Sequence, residues 1–231
     1  MDREAWLADR RASVVSVYDA EAPEYDEHPY PVPLHASFVD RLLALTPVGG
    51  LVLDAACGTG RYFGQVVASG RHVVGVDQSA GMLAMARARG LADELQQVTL
   101  QELPFEDRFD ALMTIDALEN VPPEDWPRVA ANLARAVHPG GPLYVTVEEG
   151  DEAEVGAALD RLAAAGVPAV PGEVVEGDVA GYHYYPGRER ALRWLLGAGL
   201  ELLAEAVDQQ EGWRYRHLLL GRKGGRKEST R

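Results

Sequence analysis

Residues 51–60 read LVLDAACGTG, an apolar run that closes on an acid, Asp54, and passes directly into small residues and two glycines, Gly58 and Gly60. Glycine lets the backbone turn sharply and lets a ligand approach the main chain, while the start of the following helix offers unpaired N–H groups. A second apolar run, 72–76, ends at Asp77, 17 residues after Gly60. An acid at that place can hydrogen-bond the two ribose hydroxyls of an adenosine. Loop and acid together predict an adenosine-containing ligand at the carboxyl ends of neighbouring strands.

Outward from this stretch, short apolar runs alternate with helix-period segments, the pattern left by a parallel sheet covered by helices. Strands are predicted at 51–55, 72–76, 98–101, 109–114 and 143–148, with helices near 61–69, 79–89 and 124–137 on both faces. Two further helices, near 4–17 and 34–45, precede the first strand, separated by DAEAPEYDEHPYPVP, which is too rich in proline and turn formers to be regular. A helix near 151–165, an irregular or strand-like insert around GYHYYPG, a helix near 188–198 and a terminal antiparallel hairpin follow. The expected organisation is one α/β domain over 1–221: a helical cap or lid at 1–47, a ligand-binding core at 48–149, and an insert and hairpin at 150–221. Residues 222–231 read as a basic, disordered tail.

Composition narrows the function. The 231 residues are 47% hydrophobic and 25% charged, an ordinary globular balance. Without a run of about 20 apolar residues or a secretory signal, the chain reads as cytoplasmic. The lone cysteine, Cys57, permits no internal disulfide or multi-thiolate zinc site, and no metal is expected. A net charge of −14 repels phosphate backbones, so nucleic acid is a poor partner and a small molecule a better one. The basic tail, five cations against one glutamate, reads as a solvated end. The partner expectation is a small-molecule substrate, no nucleic acid, no membrane, and a monomer or homodimer.

Details of the loop discriminate among adenosine ligands. A dinucleotide fingerprint needs glycine at position 63, which is Phe63, and Asp54 places a carboxylate hostile to pyrophosphate but suited to an ammonium group. P-loop, H-E-x-x-H and C-x-x-C signatures are absent. LVLDAACGTGRYFG followed by VVGVDQSAGMLAMAR resembles the class I S-adenosylmethionine-dependent methyltransferases. LPFEDRFDALMTIDALENV and HPGGPLYVTVE resemble that family's fourth- and fifth-strand regions, so the likeness covers roughly residues 48–149.

The resemblance implies a doubly wound, Rossmann-like seven-stranded sheet whose antiparallel last strand lies beside the fifth, and S-adenosylmethionine as cofactor. It assigns Asp54, Ala56, Gly58 and Gly60 to the methionine portion, Asp77 to the ribose, Gln78 and Met82 to the adenine face, and Gln101 and Glu102 to the adenine edge. Many relatives carry Asp-Ala where this chain has Leu100 and Gln101, which leaves adenine recognition to main-chain groups and Gln101. Asp116 and Ala117 would face the transferable methyl, and Tyr18 and Tyr25, in V-Y-D-x(5)-Y-D with His28 and Tyr30 beyond, match a tyrosine lid. Bland readings stand beside these: Asp54 as a loop-stabilising acid, Met82 as helix core, Gly64 as a packing glycine and Cys57 as a packing residue.

Methyl transfer is an in-line displacement, so the acceptor must be aligned, shielded from water and, where required, deprotonated. Its residues should come from the fourth- and fifth-strand loops and from the insert. Glu119 and Glu148 suit an amine acceptor somewhat better than a hydroxyl. Tyr182, His183 and Tyr184 form an aromatic run suited to a flat or cationic molecule. His183 is a candidate base and Glu119 a proton acceptor. Each also reads as ordinary packing, and His35, His72, His138 and His217 read as structural or exposed. The runners-up are another adenosylmethionine-using transferase of this fold, a non-catalytic cofactor-binding protein and a dinucleotide-dependent redox enzyme.

Overall fold

A computed structural model describes residues 2–27, 33–176, 181–210 and 213–224. His28, Tyr30 and the end of the basic tail lie outside the described residues. The loop stretch begins in β1 (Leu51–Ala55), from which α3 (Phe63–Ala68), β2 (His72–Asp77), α4 (Ala80–Ala88) and β3 (Glu94–Gln97) lead outward. The chain then returns to β4 (Ala111–Thr114) on the other side of β1, followed by α5 (Trp126–Ala136) and β5 (Pro142–Glu148). Upstream lie α1 (Arg3–Glu21) and α2 (Pro33–Leu45). Downstream come α6 (Glu152–Ala164), β6 (Glu173–Glu176), β7 (Gly181–Tyr184), α7 (Gly187–Gly197), β8 (Leu200–Gln210) and β9 (Trp213–Arg222).

The seven-stranded sheet has the order β3-β2-β1-β4-β5-β9-β8, parallel through β5, with β9 antiparallel beside it. The direction of winding reverses between β1 and β4, and the carboxyl ends of strands at such a point form a crevice. On one sheet face, Trp6, Leu7 and Val14 of α1 join Trp126, Val129 and Leu133 of α5 and Leu192 and Leu195 of α7. On the other, Phe38, Val39 and Leu42 of α2 meet Phe63 and Val66 of α3 and Leu83 and Ala86 of α4. β6 and β7 make a separate antiparallel pair.

Two of the boundaries that differ from expectation, those of β3 and α1, do so for clear physical reasons. The third strand lies at 94–97 rather than 98–101: its residues Glu-Leu-Gln-Gln are half-exposed at the sheet edge and carry no apolar run, whereas Leu100–Glu102 turn as a short 3₁₀ segment. α1 runs four residues past its expected end, starting from Asp2, whose side chain accepts the Ala5 N–H at 2.8 Å. β8 extends through the polar Asp208–Gln210 because its ladder with β9 continues there.

Candidate functional site

At the tip of β1 the chain leaves the sheet through Ala56, at φ +66°, and at the tip of β4 through Asp116, at φ +49°. Left-handed backbone at non-glycine residues costs of order 1 kcal/mol or more each and is retained where the surroundings impose it, often at ligand sites. Gly60, at φ +77°, has its α-carbon against the buried Phe63 ring: a β-carbon there would lie 2.5 Å from ring carbons. The aromatic at position 63 therefore supports the loop from beneath, where a dinucleotide fingerprint would place glycine.

Two carboxylates frame the loop. Asp77 Oδ2 accepts the Gly58 N–H and Oδ1 the Ser79 N–H, each at 2.8 Å, which fixes the loop and leaves lone pairs free for a diol. Burial pushes its carboxyl above the ordinary range despite those bonds. Asp54 is buried, its Oδ2 has no hydrogen-bond partner among the described residues, and burial with the nearby Asp77 charge raises it to about 8. A buried acceptor left unpaired costs about 1–3 kcal/mol, and a cationic ligand group would satisfy it. Cys57 is buried, and burial raises its thiol with the help of Asp54 and Asp77, the opposite of an activated nucleophile.

The crevice between these tips is an open cavity, about 940 Å³ with the solvent at its mouth included. Asp54, Ala56, Gly58, Asp77, Gln78, Met82, Gln101, Asp116 and Ala117 line it, together with Tyr18 and Tyr25. Those two rings meet edge-on, 6.3 Å between centres, and Asn120 donates to the Tyr18 hydroxyl at 3.3 Å. Gln101 lines the cavity with its side chain occupied, donating to Asp125 at 3.1 Å. Glu102 is exposed and off the lining, and Gly60 acts beneath the loop. Thr59, Arg61, Tyr62, Thr99 and Ile115 also line the cavity, and nothing in their residue type distinguished them in the sequence.

The segment that carries Tyr18 and Tyr25 is tied to the core by acids that the sequence presented only as part of a tyrosine motif. Asp19, beside Tyr18, accepts from Ser79 Oγ at 2.6 Å and Gly81 N–H at 2.8 Å. Gly81 must lack a side chain, since a β-carbon would sit 2.9 Å from the Asp19 carbonyl oxygen. Asp26, beside Tyr25, accepts from Thr59 Oγ1 at 2.8 Å and pairs with Arg89. The repeated Tyr-Asp doublet was the available signal.

Beyond Asp116 lie the residues expected on the acceptor side. Glu119 is buried, its Oε2 without a hydrogen-bond partner among the described residues, and burial with the Glu148 and Asp116 charges holds its carboxyl well above the usual range. His183 Nδ1 stands 3.7 Å from Glu148 Oε2 and 3.0 Å from the Tyr185 hydroxyl. The expected aromatic run divides, because alternate strand residues face opposite ways. Tyr182 and Tyr184 turn into the core: Tyr182 donates to Glu173 at 2.7 Å and packs edge-on against Trp6, while Tyr184 packs near Trp194 and accepts from Arg190 at 3.1 Å. Neither these two tyrosines nor Glu119, Glu148 and His183 are among the cavity's lining, and Tyr185 is the aromatic that accompanies His183. His72 is exposed beside Asp93, whereas His35 and His217 are both buried.

A doubly wound sheet with a glycine loop, a ribose-type acid and a buried unpaired carboxylate defines a nucleoside-binding α/β protein. A family model for the methyltransferase domain matches residues 52–141. Human methyltransferase-like protein 27 is 33% identical over 173 residues, 68% of this chain and 68% of that protein. The malonyl-[acyl-carrier protein] O-methyltransferase of Pectobacterium atrosepticum is 35% identical over 53% of this chain, which spans about half (49%) of that relative's length. Relatives also include a tRNA (carboxymethyluridine(34)-5-O)-methyltransferase of Arabidopsis thaliana, 31% identical over 57% of this chain and 31% of that protein. The magnesium protoporphyrin IX methyltransferase of Synechocystis PCC 6803, solved with bound S-adenosylhomocysteine, superposes with a TM-score of 0.67 at 18% identity, covering 93% of this chain and 100% of that one. The chain belongs to the class I S-adenosylmethionine-dependent methyltransferases. The unpaired Asp54 oxygen fits the cofactor's ammonium, and the family uses S-adenosylmethionine.

Proposed function

We propose that this methyltransferase acts on a small, amine-bearing molecule in the cytoplasm, through a single domain spanning residues 1–221. When bound, S-adenosylmethionine supplies a methyl group on a positively charged sulfur. Asp54, Ala56, Gly58 and the loop held by Gly60 would bind the methionine portion, Asp77 the ribose, and Gln78, Met82 and the main chain near Gln101 the adenine. Tyr18 and Tyr25 would exclude water from the reacting atoms.

The observation that carries the acceptor reading is the set of carboxylates past the β4 tip: the half-buried Asp116 lines the cavity, and the buried Glu119 and Glu148, the latter 3.7 Å from His183, stand outside its lining. The buried Glu119 Oε2 has no hydrogen-bond partner among the described residues, and an amine N–H would supply a donor. No described helix is long and apolar enough to cross a membrane. The net charge of −14 argues against a polyanionic acceptor, although relatives include tRNA methyltransferases.

Incubating the protein with methyl-tritiated cofactor and separate amine, phenol and total-tRNA fractions of a cell extract tests this. Label in the amine fraction, with equivalent S-adenosylhomocysteine, is expected. Label confined to phenols or tRNA overturns the amine reading, and cofactor binding without any labelled product supports a binding protein instead.

A further inference from the structure

Behind Asp116, α2, the loop before α3, β5 and β9 bring two buried histidines and three tyrosines together. His35 is 2% exposed, and its Nε2 lies 3.4 Å from Asp116 Oδ1. Its Nδ1 is 3.1 Å from the Tyr62 hydroxyl. The His217 ring is 5.0 Å away, and His217 Nδ1 is 2.8 Å from the Tyr144 hydroxyl. Tyr215 closes the edge of His35 at 5.4 Å between ring centres.

Burial holds both imidazoles neutral: His35 is lowered to about 3, with His217 and Arg61 contributing, and His217 to about 4. A neutral imidazole carries one proton, and a tyrosine O–H donated to Nδ1 places it on Nε2. His35 Nε2 makes no hydrogen bond among the described residues, and the Asp116 carboxylate, 3.4 Å away, is the acceptor nearest for its N–H to turn to. Thr146 fixes the other side, its hydroxyl accepting the Asp116 backbone N–H at 2.8 Å. Asp116 itself lines the cavity from a left-handed backbone conformation, whereas His35 stands behind it.

We propose that Asp116 takes the proton released by the methyl acceptor, and that His35, with its tautomer set by Tyr62, is the positioning residue for that carboxylate. This rests on the amine reading above. The amine lone pair forms the new bond to the methyl carbon, the carbon–sulfur pair returns to sulfur, and the N–H proton passes to Asp116. The products are a neutral methylated amine, a neutral thioether and a protonated carboxyl, which later returns its proton to solvent.

The groups facing the pair are Arg61 and Tyr62 before α3, Glu119 after β4, Tyr144 and Thr146 on β5, and Tyr215 and His217 on β9. Burial raises Asp116 to about 7, while Arg61 and Thr146 restrain the rise. The ionised, proton-accepting form therefore fills in as pH passes upward through that value. Removing the His35 N–H removes a donor to the carboxylate and shifts its titration further up.

Carbon-13 NMR of aspartate-labelled protein saturated with S-adenosylhomocysteine tests the pair without any acceptor, with the Asp116 signal identified by its loss in Asp116→Asn. Titration near neutrality is expected, moved up by about one unit in His35→Phe and by less in Tyr62→Phe, which preserves ring volume. An Asp116 carboxyl in the ordinary acidic range, or one unmoved by Tyr62→Phe and His35→Phe alike, overturns the proposal. With an amine labelled in the experiment above, kcat should rise with pH through the same midpoint and fall about 100-fold or more in Asp116→Asn. A pH profile unchanged by Tyr62→Phe also overturns it. If only phenols or tRNA accept label, the amine reading fails while the NMR titration still judges the pair.

Discussion

Asp54 shows how one side chain couples the cofactor site to pH. Its carboxyl ordinarily ionises near 3.8 but is raised to about 8 by burial and by Asp77. Between those values the folded protein holds a proton that the unfolded chain has released, so this residue makes the ligand-free protein less stable as pH rises from about 4 to about 8. A bound ammonium favours the ionised form. Binding of S-adenosylhomocysteine is therefore expected to release protons and to tighten between about pH 6 and about pH 7.5. Calorimetry in two buffers of different ionisation heat measures the release. In Asp54→Asn the release should fall and Kd rise by about tenfold, a loss of ~1.4 kcal/mol. At this scale the sequence was informative wherever a residue's type is its role: Asp54 and Asp77 are acids placed at strand ends. It was silent on His35, because nothing local to PLHAS says that the histidine points towards a carboxylate 81 positions away.

At the scale of elements, legibility followed burial. β1, β2 and β5 are apolar because helices cover them, and their positions could be read directly. The edge strand β3 could not, since half-exposed glutamines satisfy its geometry. In β7 the composition of GYHYYPG was legible but its alternation divided the aromatics between core and acceptor side. The lid hooks were invisible for a different reason: they join segments about sixty residues apart. Their effect is testable. Asp19→Ala removes the acceptor for Ser79 Oγ and Gly81 N–H and should destabilise the docked end of α1 by about 1–3 kcal/mol. Because Tyr18 is carried on the same turn, cofactor Kd should rise about 5- to 30-fold, measured by titration calorimetry, with the sheet's circular dichroism unchanged. An unaltered Kd would detach the lid from cofactor binding.

For the whole molecule, the resemblance implied a doubly wound sheet with its antiparallel last strand beside the fifth, and β9 stands there beside β5; the reversal between β1 and β4, where the crevice opens, was not read from the sequence. The N-terminal fastening was not anticipated. Arg3 donates to both oxygens of the buried Glu173 at 2.7 Å and also pairs with Glu124, joining α1 to the insert beside β6. Arg3→Ala leaves the Tyr182 hydroxyl and the Val170 N–H on Glu173 but no cation, and should cost about 2–4 kcal/mol in chemical denaturation. Restoring about that amount with Glu173→Gln in the same background would identify the uncompensated charge as the cause.

α1 is thus pinned at both extremities, by Arg3 to Glu173 of β6 and by Asp19 to Ser79 before α4. Nineteen helical residues form a rod about 28 Å long. A rod held at both ends has few ways to yield at one end alone, so a displacement at the Asp19 end would be carried along the helix to Arg3.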